Sequence, residues 1–135
     1  MKFEVGIVRT KYEDPESDFM TSVTFANSGF EKYLTISRPG RKYFEATSEF
    51  DGGLADIECE LNNQVNLSQG GIKLCSLSDH EFRIQFSAEE AMSIGDSEVI
   101  VEFPHGGIEL RDVAVAVENI FRDTDVFRHL DKSDI

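Results

Sequence analysis

Carboxylates are the residues whose number and spacing most invite a chemical role in this chain. Glu58 and Glu60 stand two apart in an alternating segment, so both project from one face of a strand, where an acid and base pair of the glycosidase kind would sit. A general acid needs its pKa raised by burial, and a solvated strand face does not supply that, so the pair reads as surface. His80, His105 and His129 lie far apart, each beside a turn or terminus, and none has a second ligand at helical or hairpin spacing. No metal site is expected from them. GxSxG and cysteine-protease contexts are absent, and Gly52-Gly53, Gly70-Gly71 and Gly106-Gly107 are bare pairs outside any phosphate-binding pattern. The basic run Arg38-Pro39-Gly40-Arg41-Lys42 could cradle an anion at a turn, but a solvated turn is the better account of it. No cofactor is implied, and the chain reads as non-enzymatic.

Cys59 and Cys75 are sixteen residues apart with no CxxC pair. Each falls in a strand-like alternation, and Met1-Lys2-Phe3-Glu4-Val5-Gly6 has no apolar signal core. The expectation is a reducing, cytoplasmic setting with both cysteines as buried free thiols that pack and do no redox chemistry.

Charge narrows the partners. The 135 residues include 26 Asp and Glu against 13 Lys and Arg, a formal net charge of −13. Phosphate backbones and anionic membranes repel such a chain, so neither direct nucleic-acid binding nor membrane docking is expected. A basic protein is the complementary partner, with plain solubility as the competing explanation of the acidity. The acids are also clustered. No basic residue falls between Lys42 and Lys73, where Glu45, Glu49, Asp51, Asp56, Glu58 and Glu60 stand. None falls between Arg83 and Arg111, where Glu89, Glu90, Asp96, Glu98 and Glu102 stand.

The elements that must position these groups are mostly strands. Lys2 to Tyr12 alternates with a break at Val8, and the acidic, proline-interrupted run Glu13 to Asp18 is a loop. Thr21–Ala26 and Tyr33–Arg38 form a hairpin around Asn27-Ser28-Gly29. Residues 41–53 show neither period and read as an irregular connection bringing aromatics near the surface. Ala55, Ile57, Cys59 and Leu61 make the dry face of a strand; Ile72–Leu77, Glu81–Phe86 and Glu98–Phe103 follow as further strands. Ser87 with Glu90 forms a capping box that opens a short helix, and Gly95 closes it. From Ile108 on, Leu110, Val113, Ala114, Val117, Ile120 and Phe121 form one helical stripe, with Val126, Phe127 and Leu130 as a further helical turn and 131–134 frayed. The fold class is α+β: one domain over 1–135, a mainly antiparallel sheet of about six to seven strands, a short helix, and a C-terminal helix packed on one face.

Several segments form an ordered series: the strand Tyr33–Arg38, the step Asn63-Gln64 leading to Gly70-Gly71-Ile72, and the run Leu77-Ser78 to Phe82-Arg83-Ile84-Gln85-Phe86. The helix Ala88 to Gly95, the strand Val99–Phe103 and a terminal helix ending near Ile120-Phe121 complete it. Over residues 33–121 this series resembles immunity protein family number ten of bacterial polymorphic toxin systems. It departs where members place aromatics before the Asn-Gln step and the glycine pair, positions held here by Ile57-Glu58-Cys59 and Ser68-Gln69. The resemblance implies a non-catalytic protein that binds and neutralises a cognate secreted toxin domain, a nuclease in many such systems, inside the cell.

For such a partner the expected toxin-binding strip is Glu45, Glu49, Phe50, Asp51 and Asp56, because interfaces centre on an aromatic anchor ringed by charge. The competing reading makes Phe50 a core residue and leaves the acids merely solvated. A second function class, a small-ligand module or enzyme, predicts instead a concave site between sheet and helix with convergent polar groups.

Overall fold

A computed structural model describes residues 1–62, 64–67, 71–104 and 110–130. The class is α+β. Among the described residues ten strands form two five-stranded sheets, and the α-helices are α1 (Arg41–Thr47), α2 (Ala88–Ile94) and α3 (Leu110–Ile120). The first sheet runs β1 (Lys2–Glu4), β9 (Glu98–Glu102), β8 (Glu81–Phe86), β7 (Ile72–Leu77), β10 (Phe127–His129). The second runs in chain order through β2 (Ile7–Asp14), β3 (Met20–Ala26), β4 (Tyr33–Pro39), β5 (Glu58–Leu61) and β6 (Gln64–Leu67). Antiparallel pairing dominates; the parallel pairs are β1 with β9 and β10 with β7, at the edges of the first sheet.

The single strand expected over Lys2 to Tyr12 is two strands in different sheets. Val5 N–H donates to Glu102 in the first sheet at 2.9 Å, and the next residue, Gly6, donates to Ala26 in the second at 2.8 Å. A Cβ on Gly6 would meet the Ser28 backbone at 3.0 Å, so glycine is what lets the chain cross here. This crossing is the physical reason for the broken alternation at Val8.

Between the sheets lies one core. Phe25 of β3 packs on Phe82 of β8 with ring centroids 4.9 Å apart, and on Phe103 at 5.9 Å. Leu34, Ile36, Ile57, Ile84, Val99 and Val101 are fully buried around them. The α3 stripe behaves as read: Val113, Val117 and Ile120 are buried as the helix packs on β2, β3 and β4. Phe121 then stacks on Phe127 of β10 at 5.8 Å, tying helix and first sheet together. The short helix also holds, with the Ser87 hydroxyl accepting from Glu90 N–H at 3.2 Å and Gly95 closing it at φ 89°.

Three expectations change. Phe127–His129 form β10, and 126–130 are not a helical turn, because they satisfy the open edge of β7: Cys75 N–H donates to Val126 and Leu130 N–H to Leu77. Residues 41–53 contain α1, a seven-residue helix without an apolar stripe that leans on tertiary contacts, Glu13 accepting from Lys42 N–H at 3.1 Å. Ala55 belongs to a 3-10 turn over Gly53–Asp56, and the strand starts only at Glu58, with Ile57, Cys59 and Leu61 buried. Asn63, Ser68 to Gly70, His105 to Ile108 and residues 131–134 lie outside the described residues.

Candidate functional site

β4 sets up the site. Leu34, Ile36 and Arg38 share one face of it, and the core continues through Arg38, which is only 1% exposed. Its Nη1 donates to the main-chain carbonyls of Ile120 and Arg122, both at 2.9 Å, capping the C-terminal end of α3. Its Nη2 donates to Asp51 Oδ1 at 2.7 Å. Arg122, 8% exposed, donates from Nη2 to Asp51 Oδ2 at 3.0 Å and to the Pro39 carbonyl at 2.8 Å. One carboxylate thus bridges two buried guanidinium groups. Cations belong at a helix C-terminus, where unsatisfied carbonyls gather partial negative charge.

Asp51 is held further by accepting from Gly53 N–H at 3.1 Å. Partial burial pushes its carboxyl up, but the Arg38 hydrogen bond, the Gly53 amide and the charges of Arg38 and Arg122 outweigh that, and its pKa lies below the ordinary value. Burial, then repulsion from Arg38, pulls Arg122 down, opposed by Asp51. The Nε atoms of both arginines are buried without a hydrogen-bond partner among the described residues.

Phe50, the residue before this clamp, is 91% exposed. It borders a groove of about 330 Å³ on the outer face of the second sheet, with Tyr43 and Phe44 of α1, Glu49, Asp56 of the 3-10 turn and Glu58 of β5. Tyr43 donates its hydroxyl to Glu49 Oε2 at 2.7 Å, and that bond raises the pKa of the phenol. Asp56 accepts from Gly52 N–H, so carboxylates fasten the chain on both sides of Phe50, Glu49 before it and Asp51 and Asp56 after it. Phe44 carries the Arg122 guanidinium 6.0 Å from its ring centroid.

Of the strip expected from sequence, Glu49, Phe50 and Asp56 come together at this groove, Glu45 is exposed on α1 outside its lining, and Asp51 turns inward to the arginines. Phe50 is therefore not a core residue. Tyr43 and Phe44 are among the aromatics expected near the surface, but their segment shows no period that would assign them to this groove. Glu58 joins them from β5, where it alternates with the buried Cys59. The run Arg38 to Lys42 is not one solvated turn: Arg38 is core, Arg41 pairs with Asp123 at 3.1 Å, and Lys42 is exposed.

The cysteines are free and buried. Burial, with the charges of Glu90 and Glu58, pushes the Cys59 thiol up to about 12, and burial holds Cys75 well above its ordinary value. His80 is exposed in its turn, and His129 Nδ1 lies 3.5 Å from Glu118, while His105 lies outside the described residues. Among the described residues no group of three or more His, Cys, Asp or Glu could hold a metal ion, and no helix is long and apolar enough to cross a membrane. No protein-family model matches the chain, and no curated protein or solved structure is significantly similar to it.

Proposed function

We propose that this protein is a cytoplasmic, non-catalytic immunity protein that binds and neutralises a cognate bacterial toxin domain through its acidic, Phe50-bearing surface. One observation carries the reading: an almost fully exposed phenylalanine is presented beside a doubly clamped aspartate and ringed by Glu49, Asp56 and Glu58. The bonds of Asp51, Gly52 and Gly53 hold the backbone next to Phe50 before binding, so presenting this aromatic anchor costs little further backbone ordering on docking. The surrounding carboxylates and the net charge of −13 favour fast encounter with a basic surface such as a nuclease cleft.

The small-ligand alternative has less to stand on. Between sheets and helix, the space is occupied by Phe25, Phe82, Val117 and Ile120, all fully buried. Both this groove and a second of about 510 Å³, bordered by Arg83, Gln85 and Arg128, open on outer sheet faces.

Co-expression tests the proposal. A large secreted protein encoded immediately upstream would supply the toxin as its C-terminal domain. Cells producing that domain should survive when this protein is co-produced, and the two should copurify. Failure of both would remove the function.

A further inference from the structure

From the groove beside Phe50 we infer the chemistry of what it receives: one arginine side chain of the partner, its guanidinium lying on the Phe50 ring and hydrogen-bonded by the carboxylates of Asp56 and Glu58. The inference rests on the binding function proposed above for the identity of the partner, but the groove's preference for a guanidinium stands on its own geometry. Three carboxylates, Glu49, Asp56 and Glu58, border the groove, and among the described residues no cationic side chain lines it. Glu58 is exposed, and its carboxylate, unlike its strand-paired backbone, has no hydrogen-bond or ion-pair partner among the described residues. Asp56 uses Oδ2 for Gly52 N–H, which leaves Oδ1 unengaged among them.

Aromatic surface selects among cations. A guanidinium is planar, weakly hydrated and able to stack on a ring while donating to two carboxylates; an ammonium is a compact, strongly hydrated point charge. Arg122 on Phe44 is the same pairing within the chain and takes up that ring from the core side; of the other two rings at the groove, Tyr43 is half-buried and bonded to Glu49, and Phe50 is the more exposed to an incoming cation. At about 330 Å³ the groove sits at the lower end of ligand-site volumes, suited to one long side chain.

The test is a titration of the isotope-labelled full chain, followed by amide NMR shifts, with the capped tripeptide Gly-Arg-Gly and its citrulline and lysine counterparts. The arginine peptide should give saturable shifts centred on Glu49, Phe50 and Asp56. Phe50→Ala and Glu58→Gln should each weaken binding about threefold to fivefold without lowering the melting temperature. Equal binding of the citrulline or lysine peptide, shifts centred elsewhere, or no saturation would overturn the inference. Arginine binding without protection of toxin-producing cells would remove the immunity function alone; protection without arginine binding would remove this inference alone.

Discussion

Arg38 donates to the main-chain carbonyl of Arg122 at 2.9 Å, so two residues of the same charge, 84 positions apart, are in direct contact inside the protein. Their guanidinium groups tolerate each other because Asp51 bridges them and because carbonyls of Ile120, Arg122, Asn119 and Pro39 accept from further Nη protons, which leaves only the Nε atoms of the two side chains without partners among the described residues. The cluster joins β4, the end of α3 and the loop that carries Phe50. Fold stability and presentation of the candidate site therefore depend on the same bonds.

Asp51→Asn should destabilise the protein by about 2–4 kcal/mol at pH 7, the lower part of the range reflecting the 30% exposure of the carboxylate. Because the folded pKa of Asp51 is depressed, its contribution is complete above the ordinary aspartate value of about 4 and is lost as pH falls through the lower folded value. Urea denaturation of both proteins at pH 7 and pH 3 checks this. The gap should narrow in acid; a constant gap would contradict the ion-pair account.

Arg38→Lys keeps the charge but not the fork that reaches two carbonyls and a carboxylate at once. A loss of about 1.5–3 kcal/mol is expected, since at least one buried acceptor goes unsatisfied. Equilibrium unfolding measures it, and stability equal to wild type would show that the arginine geometry is dispensable.

Where neighbours in sequence decide the structure, the sequence was readable. The α3 stripe, the β3–β4 hairpin, the Ser87 cap, the closure at Gly95 and the dry face of β5 all depend on local spacing. Elements decided at long range were not. β10 exists because β7 offers an open edge some fifty residues earlier, and the division into two sheets turns on a crossing at Val5-Gly6. Arg38 did leave a signal, its parity with Leu34 and Ile36 on β4, but a basic run after it masked the inward position. At the candidate site, an aromatic residue flanked by acids is legible in the sequence, and Glu49, Phe50 and Asp56 of that strip meet at one groove. The inward turn of Asp51 was hidden, because it depends on an arginine 71 residues away.

Cys59 and Cys75 should resist thiol reagents in the folded protein and react fully once unfolded. Their raised pKa values leave almost no thiolate at neutral pH, and burial blocks access. Labelling by 5,5′-dithiobis(2-nitrobenzoate) with and without denaturant follows both. Rapid native labelling would place at least one thiol at the surface.

Phe82→Ala should cost about 3–5 kcal/mol, because the ring fills the seam between the sheets against Phe25. Thermal unfolding monitored by circular dichroism checks this, and a loss under about 1 kcal/mol would mean the sheets do not share one core.

The most direct measurement is calorimetric titration of the cognate toxin domain with wild-type protein and Phe50→Ala. A central anchor predicts at least about thirtyfold weaker binding for the variant, with an unchanged melting temperature because the ring is 91% exposed. Equal affinity of the two proteins would contradict the account.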